Sequence, residues 1–96
     1  MTQEKKIAYE VRITGKVQGV CFRDWTRTMA NGLKISGWVR NRQDGSVESV
    51  ISGYPGDVKE MLAELEKGPN SANVVSVEKN QCSLPEYFDF RQRPTV

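Results

Sequence analysis

Nine consecutive residues, Gly15-Lys16-Val17-Gln18-Gly19-Val20-Cys21-Phe22-Arg23, hold the densest concentration of chemistry in this chain. A glycine-punctuated turn between a strand and a helix lets successive backbone N–H groups point into one concavity. The first N–H groups of the helix, which lack intrahelical acceptors, stand beside them. Such a turn can cradle an anion. Arg23 falls in the first turn of the helix, where the macrodipole disfavours a cation by about 0.3 to 1 kcal/mol. A bound anion would compensate that misfit, and a guanidinium would give a phosphate a bidentate contact that lysine reproduces poorly. The same residues allow a plainer reading, in which the glycines only tighten the turn and Arg23 pairs with a surface carboxylate. Asn41 is the second outlier, a polar residue on the strand side shared with Gly37 and Val39. Its amide could orient a water, or it could begin an Asx-type turn into Asp44-Gly45.

Composition narrows the chemistry further. Histidine is absent from the 96 residues, which removes imidazole bases, Ser-His-Asp and Cys-His pairs, and zinc sites built on His. Cys21 and Arg27 fit the Cys-x5-Arg spacing of phosphatases with a thiolate nucleophile. The loop between them argues against that, because Phe22, Asp24 and Trp25 are bulky or anionic where a phosphate would be wrapped. Cys21 and Cys82 are too far apart for a CxxC cluster, and Met1-Thr-Gln-Glu-Lys-Lys is unlike a secretory leader. A cytosolic chain with reduced thiols is therefore expected, and no apolar run approaches the roughly 18 residues of a membrane span. The net charge of +2 is too weak to imply DNA or membrane binding, but it is unevenly placed. Residues 12–42 carry seven basic side chains and one acid, Asp24, whereas the remainder carries seven basic against eleven acidic residues. That stretch attracts anions, with Lys16, Arg40 and Arg42 suited to steering rather than touching them.

These residues need elements to position them. Ile7, Tyr9, Val11 and Ile13 alternate with polar or small residues, the pattern of a strand with one buried face. Phe22, Trp25, Thr26, Met29, Ala30 and Leu33 fall on one face of a three-turn helix that stops near Asn31-Gly32. Ile35 to Arg42 and Ser46 to Gly53 read as two antiparallel strands joined through Asp44-Gly45. Val58, Met61, Leu62 and Leu65 repeat the helical spacing after Pro55-Gly56-Asp57, where Asp57 can cap or precharge the helix start, and Gly68-Pro69 ends it. Val75 and Val77 alternate with Ser76 and Glu78 in a fourth strand, and Tyr87 to Phe90 can add a short fifth strand at the edge. The order β-α-β-β-α-β predicts an α+β, ferredoxin-like split βαβ fold. Two helices would cover one face of a four-stranded antiparallel sheet, in a single domain spanning residues 1–96.

Together these segments resemble the acylphosphatases. The resemblance rests on Gly-Lys-Val-Gln-Gly-Val-Cys-Phe-Arg (15–23), Gly-Trp-Val-Arg-Asn (37–41), Asp-Gly-Ser-Val-Glu (44–48) and Gly-Pro (68–69), in order and spacing over roughly residues 7–80. It implies a small hydrolase, free of metal and cofactor, that cleaves the carboxyl-phosphate anhydride of small acyl phosphates to carboxylate and inorganic phosphate. By the same resemblance Arg23 binds the phosphate with the backbone amides of Val17, Gln18, Gly19, Val20, Cys21 and Phe22, and Asn41 positions the attacking water. Such a reaction does not need histidine. The leaving carboxylate has a conjugate acid of pKa near ~4 and departs without a proton from the enzyme. The chain departs from the family pattern late, lacking a basic residue within 71–77 and ending in Phe88 to Val96 rather than a short strand finished by tyrosine. A monomer without nucleic-acid or membrane partners is expected. The competing class is a non-catalytic RNA- or ligand-binding module of the same fold, for which Trp38 and Tyr54 could offer stacking surfaces. The RNP-type sequence such a module uses is absent.

Overall fold

The computed structural model describes residues 5–96. The elements are β1 (Ile7–Lys16), α1 (Phe22–Gly32), β2 (Ser36–Asn41), β3 (Val47–Gly53), α2 (Pro55–Lys67), β4 (Asn73–Cys82) and β5 (Phe90–Gln92). They form one sheet in the order β4-β1-β3-β2-β5. The four long strands are antiparallel, as the β-α-β-β-α-β pattern requires, with Val11 opposite Ser49 and Val39 opposite that same Ser49. Alternation then sends Val11, Ile13, Val39, Val47 and Ile51 to one face, where Phe22 and Ala30 of α1 and Val58, Met61 and Leu65 of α2 close the core. Apart from Ala30, side chains this size, removed fully from water, are each worth about 1.5 to 3 kcal/mol of burial.

Two expectations need correction. The fifth strand is Phe90–Gln92, not 87–90, and it runs parallel to β2 with Phe90 beside Gly37. Phe88 is 85% exposed whereas Phe90 is buried, so only the last aromatic of the run finds the core and sets the register. In β4 the expected inward pair Val75 and Val77 is Val74 and Val77 instead, with Val75 turned out to solvent. The cause is a register shift between Thr14 and Gly15, which pair with Ser76 and Val74 and leave Val75 as the extra residue of a bulge.

The two helix starts differ. Tyr54, in extended conformation, precedes α2, Pro55 occupies its first turn, and Asp57 lies there without making a side-chain cap, so Asp57 acts through its charge alone. Cys21 precedes α1 in the left-handed region (φ 60°, ψ 30°), and no side chain caps the helix.

Candidate active site

The β1–α1 connection is held by its apolar members. Val17 is fully buried, and Val20 packs against the core from the other side of Gly19. Gly19 adopts φ 72°, although a Cβ there would meet nothing within 4 Å. Backbone conformation, rather than lack of space, requires glycine at that point. The left-handed Cys21 follows, turning the chain into α1. Only glycine, asparagine and aspartate visit this region routinely, so a cysteine there carries strain of the kind found at ligand clamps.

These turns open onto a cavity of about 400 Å³ lined by Val17, Gln18, Gly19, Cys21, Phe22, Arg23, Asp24, Asn41 and Gln92. Seven of the eight residues expected at the site therefore meet in one concavity; Val20 does not line it and serves as an apolar anchor. Arg23 is half-buried and has no carboxylate of the described residues within ion-pair distance, against the plainer reading in which it pairs with a surface acid. Asn41 ends β2 on the helix-covered side, opposite Val47. Asp44, not Asn41, forms the Asx turn: its Oδ1 accepts the Ser46 N–H at 2.9 Å and the Ser46 hydroxyl at 2.6 Å. Those hydrogen bonds, with the nearby Arg12 and Arg42 charges, hold the Asp44 carboxyl below its ordinary pKa.

Three contacts escaped sequence reasoning. The Gln18 side chain reaches across to the hairpin, donating to the Arg42 carbonyl at 2.7 Å and the Ser46 carbonyl at 2.8 Å. Gln92 lines the cavity from 69 positions beyond Arg23, and its Nε2 donates to Asp24 Oδ1 at 2.7 Å. Nothing in a polar tail residue signals such a placement. The third is a backbone strap: the Val96 N–H donates to the Asn41 carbonyl at 3.2 Å, and the Gln43 N–H to the Val96 carbonyl at 2.7 Å.

The basic stretch divides. Arg40 Nε and Arg42 Nη1 donate to Glu48 Oε1 at 2.8 and 3.0 Å, and neither residue lines the cavity. Burial pushes the Glu48 carboxyl up, but these donors outweigh it and hold its pKa below the ordinary value. Arg40 also stacks on Trp38, 4.7 Å from the ring centroid, and Arg93 lies 5.1 Å from it. Trp38 is thus engaged by arginines of its own chain, which weakens the case for an open stacking platform. Arg23 remains the basic side chain that lines the cavity. Among the described residues no three His, Cys, Asp or Glu side chains gather as a metal set, and no helix is long and apolar enough to cross a membrane.

Comparison with known proteins shows the family. The family model described as Acylphosphatase matches residues 9–92. An acylphosphatase of Rhizobium meliloti is 51% identical over 86 residues, covering 90% of each chain. Another from Rhodospirillum rubrum is 44% identical over 90% of this chain and 94% of its own. The structure of an acylphosphatase from Coxiella burnetii superposes with a TM-score of 0.90 at 37% identity, over 97% of this chain and all of that one. A match across nearly the whole chain, at these identities, makes this protein a member of the acylphosphatase family.

Proposed function

We propose that the chain acts as a single metal-free and cofactor-free domain that hydrolyses small acyl phosphates, with Arg23 as phosphate anchor and Asn41 as water holder. The observation that carries this is the meeting, in one cavity, of a guanidinium that no carboxylate of the described residues pairs, a strained amide-rich turn and Asn41. The phosphate would lie at the start of α1, between the Arg23 fork and the backbone N–H groups of the 17–22 turn. There the fixed donors and the helix dipole stabilise its equatorial oxygens. Asn41 would orient water toward phosphorus, opposite the acyl oxygen. As the new P–O bond forms, the acyl O–P bond breaks and the carboxylate departs with the electron pair. One water proton passes to a phosphate oxygen, so a dianionic substrate and water give a carboxylate and a monoanionic phosphate. Positioning and charge stabilisation carry such a step, and no imidazole is required.

The test is turnover of a simple aryl acyl phosphate beside a phosphate monoester, with and without chelator. Preference for the anhydride, undiminished by chelator and flat between about pH 5 and 7, is expected. A sharp titration traceable to one side chain would demand a protein general base and overturn the proton route. In the same assay Asn41→Ala lowers kcat far more than it weakens inhibition by inorganic phosphate. The reading includes a monomer in a reducing cytosol without a nucleic-acid partner. Cys21 and Cys82 are both free thiols, which suits that setting; light scattering checks the monomer.

A further inference from the structure

Resting on the role of Asn41 as water holder, we propose that the side chain of Gln18 is a positioning residue that sets Asn41 against the phosphate cradle. A primary amide has two N–H protons. Gln18 directs its Nε2 at two acceptors, the carbonyls of Arg42 and Ser46, at 2.7 and 2.8 Å. Those carbonyls close the mouth of the turn that follows Asn41: the Arg42 N–H donates to the Ser46 carbonyl at 2.9 Å, and the Gly45 N–H to the Arg42 carbonyl at 3.1 Å. Arg42 is the residue after Asn41, and Ser46 precedes Val47, the cross-strand partner of Asn41. One side chain therefore grips both limbs of the hairpin turn, one residue beyond Asn41 and one residue before Val47.

The backbone of Gln18 meanwhile belongs to the cradle, between Val17 and Gly19, and all three line the cavity. The β1–β3 ladder ends at Ile13 opposite Val47. Beyond that pair the loop and the turn diverge, and the Gln18 amide spans them. The anion-binding half of the site and the water-binding half are thus fixed to each other by two hydrogen bonds from one residue. A displacement of about 1 Å between reacting groups can cost roughly 100-fold in rate, which is the scale on which such a clamp acts.

The experiment is a cycle of Gln18→Met, Asn41→Ala and the double variant, reading kcat and competitive inhibition by inorganic phosphate. Methionine keeps the length and bulk of glutamine and removes both donors. Gln18→Met is expected to lower kcat by about 10-fold while shifting the phosphate inhibition constant by less than about threefold. In the Asn41→Ala background it should lower kcat no further. The Asn41 side-chain NMR resonances should move in Gln18→Met. Equal fold losses in both backgrounds, or unmoved Asn41 resonances, would show a role independent of Asn41 and overturn the proposal. Normal kcat in Gln18→Met beside impaired Asn41→Ala overturns the clamp alone. Full kcat in Asn41→Ala overturns the water-holding role and the clamp with it. If Gln18→Met does not fold, Gln18→Ala replaces it in the same cycle.

Discussion

The two helices lie on the same sheet and pack into the same core, yet they begin in opposite ways. α2 opens on an extended residue, with Pro55 in its first turn and Asp57 facing the positive end; Lys67 lies in its last turn and Gly68 follows. Each of these features favours a helix in its own right. α1 opens on a left-handed cysteine without a side-chain cap, carries Arg23 as its second residue, and has no basic residue in its last turn. Asp24 is its one favourable charge, and that carboxylate is turned to Gln92 and, at 4.0 Å, to Arg27. A domain able to build α2 does not start α1 this way for stability. What the α1 start gains is an amide-rich turn beside a guanidinium that no carboxylate of the described residues pairs, which is useful when an anion arrives.

The sharpest way to break this comparison is Arg23→Gln. If the arginine serves the anion, kcat/KM falls by about 100- to 1,000-fold and inhibition by inorganic phosphate weakens with it. Stability moves the other way, rising by about 0.3 to 1 kcal/mol because a cation leaves the positive helix end. Opposite signs in activity and thermal melting are the signature. A variant that loses stability as well would mean that Arg23 holds the fold. The next test is Gly19→Ala. Space is open around Gly19, so the substitution meets only the backbone penalty at φ 72°, about 1 to 2 kcal/mol of stability.

Much of this contrast could be read in the chain. The periodicity of α1 and α2, the Asp44-Gly45 hairpin and the glycines of the 15–23 segment are local signals, and local signals decide local structure. Arg23 was legible because it breaks a local rule, and Asn41 because it is polar where its neighbours on that side are apolar. What stayed hidden depends on contacts between distant segments. The bulge that turns Val75 outward arises from pairing with Gly15. The fifth strand was expected a few residues too early because its register follows from the burial of Phe90 beside Gly37, while Phe88 stays exposed. Gln18 was legible as a loop amide, but its side-chain contacts lie 24 and 28 residues away.

The acid limb sharpens the comparison by separating the site from the fold. The folded-state pKa of Glu48 lies below its ordinary value of 4.5, so protons bind the unfolded chain more readily. Its contribution is complete above about pH 4.5 and is lost as pH falls through the folded-state value. Glu48→Gln should therefore cost up to about 1 kcal/mol at pH 7, a modest figure because the ion pairs are partly exposed. The gap between the two proteins should close in more acidic solution. Denaturant melts across that range check the sign. A constant gap would mean that the arginine pairs contribute through packing and not through charge.

The smallest effect tests α2. Gly56 lies in its first turn, without a positive φ, and a Cβ built there meets nothing within 4 Å. Open space is what Gly56 shares with Gly19, so only the backbone separates their responses. In a helical conformation alanine is favoured over glycine by about 0.5 to 1 kcal/mol, through lower entropy of the unfolded chain. Gly56→Ala should therefore stabilise by a few tenths of a kcal/mol to about 1 kcal/mol, where Gly19→Ala destabilises. Turnover of the aryl acyl phosphate should stay unchanged, since Gly56 does not line the cavity. The same substitution at two unobstructed glycines would then carry opposite signs, because one helix start is shaped for its own stability and the other for a ligand. Stabilisation at both positions would remove the argument that the α1 start is conformationally constrained.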